Sequence, residues 1–159
     1  MAGGSPAHSR LSVALVGLLH ARVDRRRCWV FNSDYRVRIP ASSLQTYPDA
    51  SAVCGPVKFA PGRTDGFENP VFIAEVLSQS TERYDRGPKF EDYKTISSLR
   101  EYLLLSQTQI RAELFSRQPD GTWTTHIAEG PDAELTFDSL GVTVRLADIY
   151  DGIELSGLS

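Results

Sequence analysis

Glu75 stands inside the apolar run Val71-Phe-Ile-Ala-Glu75-Val-Leu77, whose composition is that of a strand covered on both faces. A carboxylate there is costly to bury unless an arginine pairs with it, the strand end reaches water, or a metal ion takes it up. Asp49, in Tyr47-Pro-Asp49, opens the strand before it; alone, this acid is compatible with simple turn chemistry. The two acids are 26 residues apart with a loop between them, so neighbouring strands would aim both carboxylates at one spot. Two hard oxygen ligands with open positions suit Mg²⁺ or Mn²⁺, which keep their waters and accept phosphate oxygens. Such an ion generates hydroxide near neutral pH and stabilises charge growing on a phosphodiester.

A site of this kind needs a cation, and the chain holds only three lysines: Lys58, Lys89 and Lys94. Lys89 lies on the helix expected directly after the Glu75 strand. Asp85 is one turn before it, Tyr93 one turn after, and Thr81 a turn earlier still, so all four share one helical face. An ordinary Asp–Lys pair on a solvated face has the same spacing. What separates the two readings is whether that face looks toward Glu75.

The elements that would position these groups can be read in order. Ser5 or Ser9 caps a helix running to about Val23, with Leu11, Leu15, Leu18 and Leu19 on one stripe. Residues 28–39 form a strand broken by Asn-Ser-Asp, residues 40–46 a connection, and residues 47–54 a second strand. Residues 55–69, with three Gly and two Pro, make a loop before the Glu75 strand. A helix entry at residues 78–81 leads into a helix to about Thr95, interrupted near Gly87-Pro88. A buried strand follows over residues 101–106, then a hairpin across Gln118-Pro-Asp-Gly121. Short strands at 135–137 and 142–146 precede a closing helical turn. The order implies an α+β domain, a mixed β-sheet flanked by helices.

With 159 residues, 41% of them apolar and 23% charged, the chain suits one core and excludes a disordered tail, a collagen-like fibre and a disulfide-dense mini-protein. The net charge of −3 excludes a surface that is polyanion-binding throughout. Charge is nonetheless uneven. From Arg10 to Arg38 there are seven Arg against two Asp, and from Asp120 to Glu154 eight acids against one Arg. The apolar stretch 11–19 is too short to span a bilayer and lacks a small-x-small cleavage site after it, so a buried helix is expected. Cys28 and Cys54 lie among apolar neighbours with no further ligand nearby, which predicts two buried free thiols in a reducing compartment.

Tyr47-Pro-Asp49, Glu75-Val-Leu-Ser78, Thr81, Tyr84-Asp85-Arg-Gly87, Lys89 and Tyr93 together closely resemble the Uma (Uma-two) family of restriction-endonuclease-like proteins, within the PD-(D/E)xK nuclease superfamily. The resemblance continues through Ser98-Leu-Arg-Glu-Tyr102, Asp120-Gly-Thr-Trp123, Leu140-Gly141 and Leu146-Ala-Asp-Ile-Tyr150. It implies a restriction-endonuclease-like fold over residues 1–159, beginning after a helix and hairpin that family members usually carry. It also implies a metal-dependent endonuclease acting on DNA in the cytoplasm as a homodimer, with no membrane association. Asp49 corresponds to the acid of the Pro-Asp element and Glu75 to the Glu of Glu-x-Lys, both metal ligands, with the Val76 carbonyl completing the shell around Mg²⁺ or Mn²⁺. Leu77 stands where the standard motif has Lys, and the resemblance moves that charge to Lys89, which would hold the scissile phosphate or orient the attacking water. His8, Tyr84, Asp85 and Tyr93 are expected to support the site. For His8 a capping or core role is an equal alternative.

Arg22 and Arg25, Arg26 and Arg27 are the expected contacts to the DNA backbone. The competing reading is a catalytically silent nuclease-fold module that binds without turnover, favoured by the missing motif lysine and the missing first segment. Hydrolysis of another phosphate ester is a third.

Overall fold

Helix α1 (Pro6–Arg22) starts where Ser5 Oγ accepts the His8 amide at 3.1 Å and Pro6, at the first helical position, has no amide of its own to satisfy. In the computed structural model, which describes residues 4–155, α1 buries Ala7, Leu11, Leu15 and Leu19, while Leu18 is half-buried beside them. It ends at Val23, whose backbone turns extended, and Asp24 then accepts the amides of Arg27 and Cys28 through its carbonyl. No helix among the described residues is long and apolar enough to cross a membrane.

The single strand expected over 28–39 is two strands. β1 (Cys28–Phe31) and β2 (Arg36–Ile39) are parted by a turn in which Asn32 Oδ1 accepts the Asp34 amide, and they enter different sheets. The expected connection contributes β3 (Leu44–Thr46), β4 (Ala50–Cys54) follows, and the Gly/Pro-rich loop supplies β5 (Gly66–Phe67), which pairs with β2. Next come β6 (Phe72–Val76), α2 (Glu82–Arg86), α3 (Pro88–Lys94) and β7 (Glu101–Leu105). β8 (Arg111–Arg117) and β9 (Trp123–Glu129) form the expected hairpin, with Gly121 at φ +87° where its turn needs a residue free of a Cβ. β10 (Glu134–Phe137), β11 (Val142–Arg145) and α4 (Leu146–Tyr150) close the chain.

The main sheet runs β1-β4-β6-β7-β8-β9, antiparallel throughout except between β6 and β7. That one parallel pair requires a crossover, and α2–α3 is the crossover. β6 and β7 are buried along their whole length because both faces are covered. On one face Phe72, Ala74 and Val76 pack against α1, α4 and the β10–β11 hairpin; on the other, Ile73 and Leu77 join Phe90, Tyr93, Tyr102 and the β2–β3–β5 sheet. The α+β expectation matches this architecture.

A further expectation is overturned. Cys28 and Cys54 are not free: the antiparallel register of β1 on β4 sets them directly opposite each other, 4.1 Å apart at Cα, and they form a disulfide. Pairing across strands depends on register, which apolar neighbours in the sequence do not report. The bridge closes a 26-residue separation, a stabilisation of ~2–4 kcal/mol. The expectation of a reducing compartment loses the support it drew from free thiols.

Candidate active site

β4 enters the sheet beside the end of β6, with Ala50 paired to Ala74, so Asp49 comes to rest against Glu75. The two acids are gripped reciprocally by each other's strands. The Asp49 amide donates to Glu75 Oε1 at 3.1 Å, and the Val76 amide donates to Asp49 Oδ2 at 2.8 Å. Each carboxylate is thereby fixed without using all its acceptor capacity.

The crossover brings the cation. α2 and α3 are separated at Gly87, and Pro88 starts the second helix, yet the four-residue spacing survives the break. Lys89 Nζ donates to Glu75 Oε2 and lies 3.6 Å from Asp85 Oδ1. The face that carries Asp85, Lys89 and Tyr93 therefore does look toward Glu75. The Tyr84 and Tyr93 rings flank the ammonium, each with its centroid 5.9 Å away. Two buried tyrosines prop this arrangement. Tyr93 donates to Thr46 Oγ1, and Tyr102 donates to the Asp85 carbonyl, both at 2.9 Å. From the opposite face, the first turn of α1 delivers His8, whose Nε2 is 3.3 Å from Asp49 Oδ2.

Burial and charge act on these groups together. Desolvation pushes the Glu75 carboxyl up to about 7, with Lys89 pulling it back and the charges of Asp49 and Asp85 pushing it further. Burial also raises Asp85, against the opposing pull of Lys89. Desolvation draws the Lys89 ammonium down, but Glu75, Asp85 and Asp49 outweigh it and its pKa ends above the ordinary value. The hydrogen bond to Asp49 raises His8, more than burial lowers it. Three carboxylates thus share one lysine and one titrating histidine. Fully ionised, the carboxylates outnumber the two cationic groups by one.

Surplus charge of this kind fits a divalent cation. Among the described residues no group of three His, Cys, Asp or Glu side chains forms a ready-made metal cage. Mg²⁺ does not need one, since it is commonly held by one or two carboxylates and completes its octahedron with water and substrate phosphate. Asp49 and Glu75 supply two such carboxylates, and the Val76 backbone lies at the Asp49 carboxylate.

Of the residues expected at the site, Asp49, Glu75, Val76, Lys89, Asp85, Tyr84, Tyr93 and His8 are brought together. The arginines are not. Arg22 donates to the Thr143 carbonyl at 2.9 Å and reaches Asp148 at 3.3 Å, and Arg25 lies 3.4 Å from His20 Nε2. Arg22 ends α1 and Arg25, Arg26 and Arg27 follow it, whereas His8 is in its first turn, so the length of a 17-residue helix, ~25 Å, separates the two ends.

A supporting residue carried no signal in the sequence. Gln107 donates to the Leu77 carbonyl at 2.7 Å and accepts from Ser5 Oγ at 2.5 Å, tying the cap of α1 to the end of β6 and so holding His8 over Asp49. In sequence it is one polar residue in the polar loop Ser106-Gln-Thr-Gln109.

The family model described as Uma2, "Putative restriction endonuclease", matches residues 1–147. This chain belongs to the Uma2 family. Its relatives include two uncharacterized proteins of Synechocystis sp., slr1290 and sll1609. The first is 36% identical over 96% of this chain and 79% of its own length, the second 35% identical over 89% and 80%. A crystal structure of "a putative nuclease belonging to DUF820" from Anabaena variabilis superposes with a TM-score of 0.75 over 94% of this chain and 83% of its own, at 16% identity. That likeness establishes a shared fold, the mixed sheet with flanking helices described above.

Proposed function

We propose that this Uma2 protein is a metal-dependent endonuclease that hydrolyses phosphodiester bonds in DNA. The observation that carries the reading is the Asp49–Glu75–Lys89 cluster. Two interlocked carboxylates and a buried lysine meet at the end of β6, with a third carboxylate, Asp85, beside the lysine. Membership of a restriction-endonuclease-like family supports the same chemistry.

Mg²⁺ bound there would lower the pKa of a water and neutralise charge building on the phosphate. Asp49 and Glu75 would hold it, with the Val76 carbonyl as a further ligand. Lys89, kept protonated by Glu75 and Asp85, stands ready to shift its donor hydrogens from Glu75 Oε2 to a phosphate oxygen. Asp85 and Tyr93 steer the ammonium, and His8 orients Asp49 through Oδ2. Water adds to phosphorus as one P–O ester bond breaks. The attacking water gives up a proton to solvent and the leaving sugar oxygen takes one from solvent, which yields a phosphate monoester and a free hydroxyl.

One observation favours the silent-module alternative: Lys89 sits on the Glu75 oxygen that a metal would take. Supercoiled plasmid incubated with Mg²⁺ or Mn²⁺ separates the readings. The nuclease nicks it, and Asp49→Ala and Lys89→Ala each abolish nicking. Cleavage that survives Asp49→Ala refutes the site, and no cleavage by wild type refutes the activity.

A further inference from the structure

Six tyrosines are present, and four have their hydroxyls hydrogen-bonded within the fold: Tyr35, Tyr93, Tyr102 and Tyr150. Tyr47 and Tyr84 are different. They are 50% and 43% exposed; Tyr84 borders the carboxylate–lysine cluster, and Tyr47 follows Thr46, the residue that accepts from Tyr93 beside Lys89. Tyr84 adjoins Asp85, with its ring beside Lys89 Nζ. Tyr47 is two residues ahead of Asp49 in the segment entering β4, and the Arg36 guanidinium lies over its ring, 5.5 Å from the centroid.

The charge around the site narrows what those rings would meet. Duplex binding rests on many lysines and arginines free to neutralise phosphates. Here most of the neighbouring arginines are engaged, exposed Arg83 on α2 being the exception. Arg86 pairs with Glu82 and Glu113, Arg111 with Glu113 and Glu129, and Arg36, Arg38 and Arg63 converge on Asp65. The basic run at residues 25–27 is at the far end of α1. Affinity at this cleft must therefore come from elsewhere, and exposed rings supply it when bases are unpaired, because every base has a π-face to stack.

We infer that the site takes single-stranded DNA, with bases adjoining the scissile phosphate stacked on Tyr84 and Tyr47. The inference rests on the nuclease reading for its choice of site but is tested by binding. In EDTA, where no cleavage occurs, the fluorescence anisotropy of a labelled single-stranded oligonucleotide about 12 nucleotides long is compared with that of its duplex and of a strand with abasic residues at its centre. The intact single strand binds about tenfold tighter than either. Tyr84→Ala and Tyr47→Ala each weaken it by roughly 5- to 100-fold, while Tyr84→Phe and Tyr47→Phe keep affinity within about twofold. Equal binding of duplex or abasic strand overturns the inference, as does absence of binding to any of the three. Plasmid nicking with no preference for unpaired strands leaves the nuclease reading standing and removes this one; base-dependent binding without any cleavage does the reverse.

Discussion

Two buried carboxylates stand two strands apart in one row across the main sheet, where register pairs Glu75 with Leu104 and Leu104 with Glu113. Their surroundings differ. Glu113 is held by two guanidiniums, Arg86 at 2.5 Å and Arg111 at 2.6 Å; burial pushes its carboxyl up, but the two arginines prevail and hold it below the ordinary range. Glu75 has a single lysine, shared with Asp85, and is driven up to about 7. Adjacent residues of α2 serve the two sites, Asp85 facing Lys89 and Arg86 reaching Glu113. A carboxylate used for structure is neutralised from both sides. The one beside it has a single shared lysine, and burial drives it toward its neutral form.

The contrast is broken most directly by activity. Glu75→Gln is expected to reduce metal-dependent nicking by about 1,000-fold or more, whereas Glu113→Gln, assayed where it is folded, stays close to wild type. Equal losses in both would remove the distinction. Stability should show the reverse. Glu113→Ala leaves two arginines facing an empty position, at a cost of about 3 kcal/mol or roughly 6–12 °C in Tm by thermal unfolding.

Glu75→Gln has a sign that depends on pH. The folded protein holds the Glu75 proton up to about 7, while the unfolded chain releases it in the ordinary carboxylate range. Wild-type stability from this group therefore falls as pH rises across that window. The variant should match wild type near pH 4 and exceed it above pH 7, by on the order of 2 kcal/mol. A variant less stable at both ends would make Glu75 a structural carboxylate like Glu113. The same proton competes with metal, so nicking in limiting Mg²⁺ should increase as pH passes through about 7. The smallest effect is thermal. Mg²⁺ at ten times its Kd should stabilise wild type and Glu113→Gln by about 1.4 kcal/mol and leave Asp49→Ala unchanged.

Much of the site was legible because its spacing is local or its surroundings are improbable. Asp85, Lys89 and Tyr93 share a face by helical period, and that period outlasts the break at Gly87. Glu75 announced itself as one carboxylate among apolar residues. Glu113 lies in Ile110-Arg-Ala-Glu-Leu-Phe115, a half-polar strand pattern in which an acid attracts no notice, so its burial and its two arginines were not legible. Leu77 is a third kind of case. The missing lysine is visible in sequence, but only the fold shows why leucine suits that position, as Leu77 packs with Phe90, Tyr93 and Leu104 under the crossover.

The sequence by itself determined the elements with strong local codes: the Ser5-Pro6 helix start, the Gln118-Pro-Asp-Gly121 hairpin, the apolar central strands and the three acids and lysine near their ends. These follow from backbone preferences and from the cost of burying charge, both of which act over a few residues. Tertiary structure decided which strands are neighbours and in what register. From that came the Cys28–Cys54 bridge, the separation of β1 from β2, the grip of Gln107 on Ser5, and the distance between the arginine run and the carboxylates. Register is set by how whole faces pack, and a shift of one residue would turn Glu75 from Lys89 to the opposite core.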